Sequence, residues 1–208
     1  EVEFNDMAFG QLRKGLEDLG VWKDTMVVIA ADHGDEFWEH GGVGHGHSLY
    51  AHQTHIPLII YYPPLIPAGT VVEAGVDLMD VYPTIIEAIG KTRPADLQGK
   101  SALPLIHKVH ADYPEPAVAT QYLLHYGMQM QQWKLYLRRG EYQIYDRAND
   151  HSEQKDVAQA HPLASRWLLD AMGWTRGYRG VWDKEVFGAA TLLKPDFLSK
   201  LKGSSVRD

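Results

Sequence analysis

The sequence predicts an α/β fold: part of a largely parallel sheet with flanking helices over residues 1–110, then a small α+β region over residues 111–208. Three observations carry this. Between residues 2 and 89, short apolar runs rich in β-branched residues alternate with segments of helical periodicity. After about residue 110 the pattern changes to several short strand-like segments. The 208 residues are 45% hydrophobic and 23% charged, enough apolar material for one large domain or one domain with a small appendage.

Phe9, Leu12, Leu16 and Leu19 recur at helical spacing, so residues 2–19 are expected to form an amphipathic helix that Gly20 stops. Thr25 to Ala31 is a continuous apolar run, suited to a strand covered on both faces. Residues 32–55 hold five glycines and six histidines with little periodicity, the signature of a long functional loop. Ile56 to Tyr62 is a second buried strand, ended by Pro63 and Pro64. Leu78, Val81, Ile85 and Ile89 lie on one helical face, with Pro83 near the first turn and Gly90 as the stop. Further on, residues 117–124, 133–139 and 141–146 read as strands, with Arg139-Gly140 as a tight hairpin turn. Residues 156–172 read as helix, starting afresh at Pro162. Residues 173–208, with Trp174, Trp182 and Phe187 among polar neighbours, give no assignment, and there is no internal repeat.

A net charge of −7 provides no basic field for nucleic acid or an anionic membrane. With no cysteine, the chain has no disulfide framework, thiolate nucleophile or Cys-based zinc site, and its compartment stays open. No apolar run approaches the roughly 20 residues of a membrane span, and residues 1–25 lack the pattern of a signal peptide. The histidines stand out: His33, His40, His45, His47, His52 and His55 are six of the chain's 11.

A buried strand ending in Ala31-Asp32-His33-Gly34 brings a carboxylate and an imidazole to the carboxyl end of a sheet, where open α/β folds bind ligands. A hard oxygen and a borderline nitrogen suit a divalent cation. On spacing alone the pair fits a capping turn as well. Glu36 and Glu39, near Asp35, read as a solvated acidic loop, and His40, His52 and His55 as a polar rim or satisfied hydrogen bonds. Phe37 and Trp38 fit either a cleft mouth or core packing. Ser48 lacks the setting of a Ser-His triad, and the glycines of 41–46 lack the Lys-Ser/Thr of a phosphate loop.

Residues 31–41 (ADHGDEFWEHG), 44–50 (GHGHSLY) and 55–61 (HIPLIIY) resemble the sulfatases of the alkaline phosphatase superfamily. The flanks at 20–28 (GVWKDTMVV), 76–85 (VDLMDVYPTI) and 97–106 (LQGKSALPLI) are similar too, as is the C-terminal signature at 142–158. The matches keep family order to about residue 160. This resemblance implies an alkaline-phosphatase-like α/β fold and hydrolysis of a small-molecule or carbohydrate sulfate ester. It implies that Asp32 and His33 ligate a metal, most often Ca²⁺ in this family. The imidazole at position 33, where Asn is frequent, brings Mn²⁺ and Zn²⁺ into consideration. His45 stands near the family's sulfate-contacting lysine. A one-residue offset makes His47 a second candidate for charge stabilisation or leaving-group protonation. Ala51 and His52 depart from the acid the family often carries after Tyr50.

The family's formylglycine nucleophile and its paired early aspartates are expected before residue 1. The chain therefore reads as the C-terminal portion of a sulfatase, inactive alone, whose open strand edges await the N-terminal half or a second copy. A periplasmic or secreted parent fits the family. The alternatives are a phosphodiesterase, phosphonate monoester hydrolase or phosphoglycerol transferase of the same superfamily, and a non-catalytic binding or assembly domain.

Overall fold

The computed structural model describes residues 2–95, 97–107, 118–122 and 125–187. In chain order it has α1 (Val2–Asp18), β1 (Val27–Ala30), β2 (Glu36–Phe37), β3 (Val43–Gly44), α2 (Ala51–Thr54) and β4 (Leu58–Tyr61). After these come α3 (Val81–Ala88), α4 (Leu103–Ile106), β5 (Val118–Tyr122), β6 (His125–Met130), β7 (Trp133–Arg138), β8 (Glu141–Asp146) and α5 (Pro162–Phe187). Parts of the expected elements, at 117, 123–124 and 188–208, lie outside the described residues. The chain divides into two compact units: Glu1–Gly34 with His55–Pro116, and Asp35–Thr54 with Ala117–Asp208. Residues 35–54 thus belong with the later strands rather than with their chain neighbours.

In the first unit, β1 and β4 pair antiparallel, Val27 opposite Tyr61 and Ala30 opposite Leu58. The expected parallel relation is corrected here. A parallel return is usually made by a crossover helix packed on the sheet. The connection between these strands instead holds a short hairpin and the single turn of α2. Neither strand is covered on both faces as its apolar run suggested: Ile29 and Ile59 remain 39% and 57% exposed. α1 ends by hydrogen bonds from Gly20 N–H to Glu17 and from Val21 N–H to Leu16, as the glycine stop predicts. Of its apolar stripe, Phe9 and Leu16 are half-buried, while Leu12 and Leu19 stay exposed. Trp22 stacks on Tyr61 at 4.5 Å between ring centroids, and the Arg13 guanidinium covers the indole. Phe9, Arg13, Trp22, Val27, Ile29, Ile59 and Tyr61 line an open, mostly apolar groove.

α3 forms because Asp77 and Asp80 cap the turn before it: Asp77 accepts from Met79 N–H, and Asp80 accepts from Asp77 N–H. Asp80 is buried and also accepts from Lys100 N–H, and the Thr84 hydroxyl accepts from Ala102 N–H. These bonds bring residues 99–102 against the start of α3. Gly99 lies so close to the Met79 carbonyl that a β-carbon there would be 1.9 Å from its oxygen.

In the second unit, β5 to β8 form an antiparallel sheet in sequence order. Met128, Leu135 and Ile144 stand opposite one another across β6, β7 and β8, fully buried, and pack with Leu168 and Met172 of α5. The period-two alternation of strands sends their neighbours Lys134, Tyr136 and Tyr145 to the other face, where Tyr136 and Tyr145 pack with Leu49 and Tyr50. Arg139 and Gly140 both have positive φ, 52° and 95°, in the two-residue turn expected between β7 and β8. β6 was missed by its sequence, because Gly127 and the glutamines weaken its strand pattern. α5 starts at Pro162 as expected but runs to Phe187, through Gly173, Gly177 and Gly180, which hid it.

Replacing Gly99 by Ala is expected to destabilise the protein by about 1–3 kcal/mol, because the added methyl forces backbone apart. The urea midpoint measures this; an unchanged midpoint would mean that the Met79 carbonyl yields without cost.

Candidate active site

β1 delivers Asp32 and His33 at its carboxyl end, two residues past its last paired position. Asp32 Oδ1 accepts from His33 N–H at 3.0 Å, which folds the carboxylate back over the turn. His33 Nδ1 lies 3.2 Å from the Gly34 carbonyl oxygen, an acceptor, so this nitrogen donates. Its Nε2 stands 3.7 Å from Asp32 Oδ2. The structure therefore brings together the carboxylate and the imidazole that the sequence singled out.

His45 and His47 lie in the second unit, on the β2–β3 hairpin segment and just beyond it. His45 Nδ1 donates to Asp35 Oδ1 at 2.7 Å, which orients the ring. His47 turns to Glu36 instead, with its Nε2 2.7 Å from Oε2. His52 Nε2 reaches the same oxygen at 3.1 Å. The other carboxylate oxygen of Glu36 accepts from the backbone N–H groups of His40 and Gly42.

Glu36 is thus no solvated loop carboxylate. It is 1% exposed and sits at the centre of the histidine-rich loop. Burial opposes its ionisation, but the bonds from Gly42, His47, His40 and His52 outweigh that and hold its carboxyl at about 2, below the usual 4.5. No sequence signal marks it apart from Asp35 and Glu39. Only its partners, 4 to 17 residues away, reveal it. Phe37 and Trp38 are 71% and 72% exposed, so they do not pack in the core. Ser48 is buried and accepts from Gln53 Nε2, which fits a structural role.

A second buried carboxylate, Glu153, was not singled out by its sequence. It lies between Lys134 and Arg147, accepts from Ala51 N–H, and offers its backbone carbonyl to His40 Nε2 at 2.9 Å. Burial pulls the Lys134 ammonium down to about 8 despite the attraction of Glu153. The His40 ring stacks on Tyr50 at 3.6 Å, and Tyr50 meets Tyr136 edge-on.

Residues 1–91 match the sulfatase family. Arylsulfatase K of Danio rerio is 28% identical over 170 residues, which cover 76% of this chain and 32% of that protein. An N-acetylglucosamine-6-O-sulfatase of Bacteroides thetaiotaomicron is 31% identical over 166 residues, covering 73% of this chain and 30% of the relative. A solved structure of a protein in complex with its substrate, D-glucosamine-2-N,6-O-disulfate, has a TM-score of 0.74 at 27% identity. It matches 83% of this chain, which in turn covers 38% of that one. The chain fits the sulfatase family. It spans about a third of the length of the curated relatives it matches.

The sulfatase fold is alkaline-phosphatase-like, and the mixed helices and strands here agree with it. Sulfatases bind a divalent metal. The donor chemistry of Asp32 and His33 fits one: a carboxylate oxygen beside an imidazole nitrogen, with the ring's other nitrogen donating to a backbone carbonyl. No helix among the described residues is long and apolar enough to cross a membrane.

The ionised form of Glu36 contributes stability that is present above about pH 4.5 and lost as the pH falls through about 2. Urea midpoints of the wild type and Glu36→Gln, taken through that window, should converge as the pH drops. A gap of constant size would remove the carboxylate's charge from the account.

Proposed function

We propose that this chain is part of a sulfatase that hydrolyses carbohydrate sulfate esters, with Asp32 and His33 as two ligands of its Ca²⁺. The observation that carries the reading is the Asp32–His33 pair at the end of β1 in a chain that fits this family. The named relative that acts on N-acetylglucosamine 6-O-sulfate and the neighbour bound to a sulfated glucosamine support a sugar ester as substrate.

When bound, the cation supplies positive charge against the sulfate oxygens. Asp32 contributes negative charge and a hard oxygen to it, and His33 the ring nitrogen opposite the one that donates to Gly34. His45 is the proton donor. The ester S–O bond breaks as the sulfuryl group passes to the nucleophile, and the departing sugar oxygen takes a proton from His45 as it gains charge. Asp35 holds that ring by Nδ1. The nucleophile belongs to a part of the protein outside this chain.

Calorimetric titration of the chain with Ca²⁺, Mn²⁺ and Zn²⁺, beside the Asp32→Ala/His33→Ala double variant, tests the metal assignment. Ca²⁺ binding that disappears in the double variant is expected, and Ca²⁺ binding that survives it would overturn the reading. With Ca²⁺ present, glucosamine 6-sulfate should bind, and His45→Gln should weaken it about tenfold by removing a charged hydrogen bond. Equal affinity in the variant would take His45 out of the site.

The half-open β1–β4 sheet and its apolar groove further support a partner for this face, a second copy or another part of the same protein. Sedimentation equilibrium of the chain alone should show self-association, and a single monomeric species would exclude the homodimer.

A further inference from the structure

The histidine-rich loop holds a second constellation of metal-binding character, built on residues other than Asp32 and His33. One donor atom from each of Glu36, His40 and His52 lies within 4.8 Å of the other two. Tetrahedral zinc, with bonds of about 2.0–2.1 Å, places its donors about 3.3 Å apart, so a small inward movement of these side chains suffices. His47 Nε2 stands outside that group of three but lies 2.7 Å from the same Glu36 oxygen that His52 approaches, within reach as a fourth donor. All four residues belong to one compact unit.

The protonation of His40 points to a ligand. Its Nε2 lies 2.9 Å from the Glu153 carbonyl oxygen, which can only accept, and 3.3 Å from Gln154 Nε2; the shorter contact puts the hydrogen on Nε2. The lone pair is therefore on Nδ1, and that atom is buried without a hydrogen-bond partner. Buried acceptors are rarely left so. A ring that donates one N–H to a backbone carbonyl and offers the other nitrogen inward has the arrangement that metal-bound histidines adopt. The stacking of Tyr50 holds the ring in that orientation. Gly42 leaves the space open, since a β-carbon there would fall 2.4 Å from His47 Nε2 and 3.2 Å from the Glu36 carboxyl carbon.

We propose that Glu36, His40 and His52, with His47 as fourth donor, form a binding site for a Zn²⁺-like divalent cation. Three imidazoles and one carboxylate select zinc over calcium, because nitrogen donors suit zinc and calcium requires six to eight oxygens. In the metal-free arrangement, His47 and His52 each present an Nε2 hydrogen to Glu36. On binding, each of those protons passes to its own ring's Nδ1 through solvent, so two neutral imidazoles ligate with no net proton change. The bound ion fastens together the two ends of a loop that otherwise holds by hydrogen bonds.

The test uses the whole chain in the Asp32→Ala/His33→Ala background, which removes the other metal ligands. Calorimetry with ZnCl₂ should show one equivalent bound. His40→Gln and His52→Gln, with folding checked by circular dichroism, should each weaken it about 100-fold. X-ray absorption at the zinc edge of the background chain needs no further substitution, and should show three imidazoles and one oxygen in the first shell. No zinc uptake, unchanged affinity in both glutamine variants, or a first shell with at most one imidazole would each overturn the site. Loss of Ca²⁺ binding at Asp32 and His33 is a separate result and leaves this one standing.

Discussion

The loop between β1 and β4 is organised by one buried carboxylate, Glu36. Beyond a two-residue hairpin and one helical turn, the segment has little regular structure to satisfy its backbone, so its shape depends on side-chain acceptors. Glu36 supplies them. One oxygen takes the N–H groups of His40 and Gly42, and the other takes the rings of His47 and His52 and the Gln53 amide. Removing this charge from water is costly, and five donors are what make the burial tolerable. The positions of the surrounding histidines follow from that requirement.

Glu153 fixes the same loop to the four-stranded sheet. Its carboxylate takes the first N–H of α2, and its carbonyl takes His40, while Lys134 and Arg147 balance its charge. Burial depresses the Lys134 ammonium, and Arg147 adds a smaller push in the same direction against the attraction of Glu153. The tyrosine contacts of Tyr50, Tyr136 and Tyr145 complete this face with apolar area and edge-to-face geometry. The other face of the sheet is a conventional core of Met128, Leu135 and Ile144 under α5.

The two units differ in how fully they bury their apolar surface. The second closes a core on one side of its sheet and a polar network on the other. The first has two strands whose isoleucines remain exposed and a helix with no fully buried residue. Apolar runs such as those of β1 and β4 are built for a sheet with neighbours on both sides. The same strand that is open along its face still ends in a turn that sets Asp32 and His33 side by side.

The sequence by itself determined the elements whose signals are local: the helix stops at Gly20 and Gly90, the Pro162 start of α5, and the Arg139-Gly140 turn. Each depends on the allowed φ/ψ of one or two residues, which identity alone restricts. It also carried the resemblance to sulfatases, because short motifs around Asp32 and His33 survive as strings. Tertiary structure decided the rest. Antiparallel pairing of β1 with β4 depends on how the connection packs, and a run of apolar residues reads the same in either direction. The roles of Glu36, His40, His52 and Glu153 arise from contacts between residues up to 113 positions apart, as between His40 and Glu153. A carboxylate in a polar loop carries no mark of whether it will meet water or five hydrogen-bond donors, and only the folded chain makes that choice.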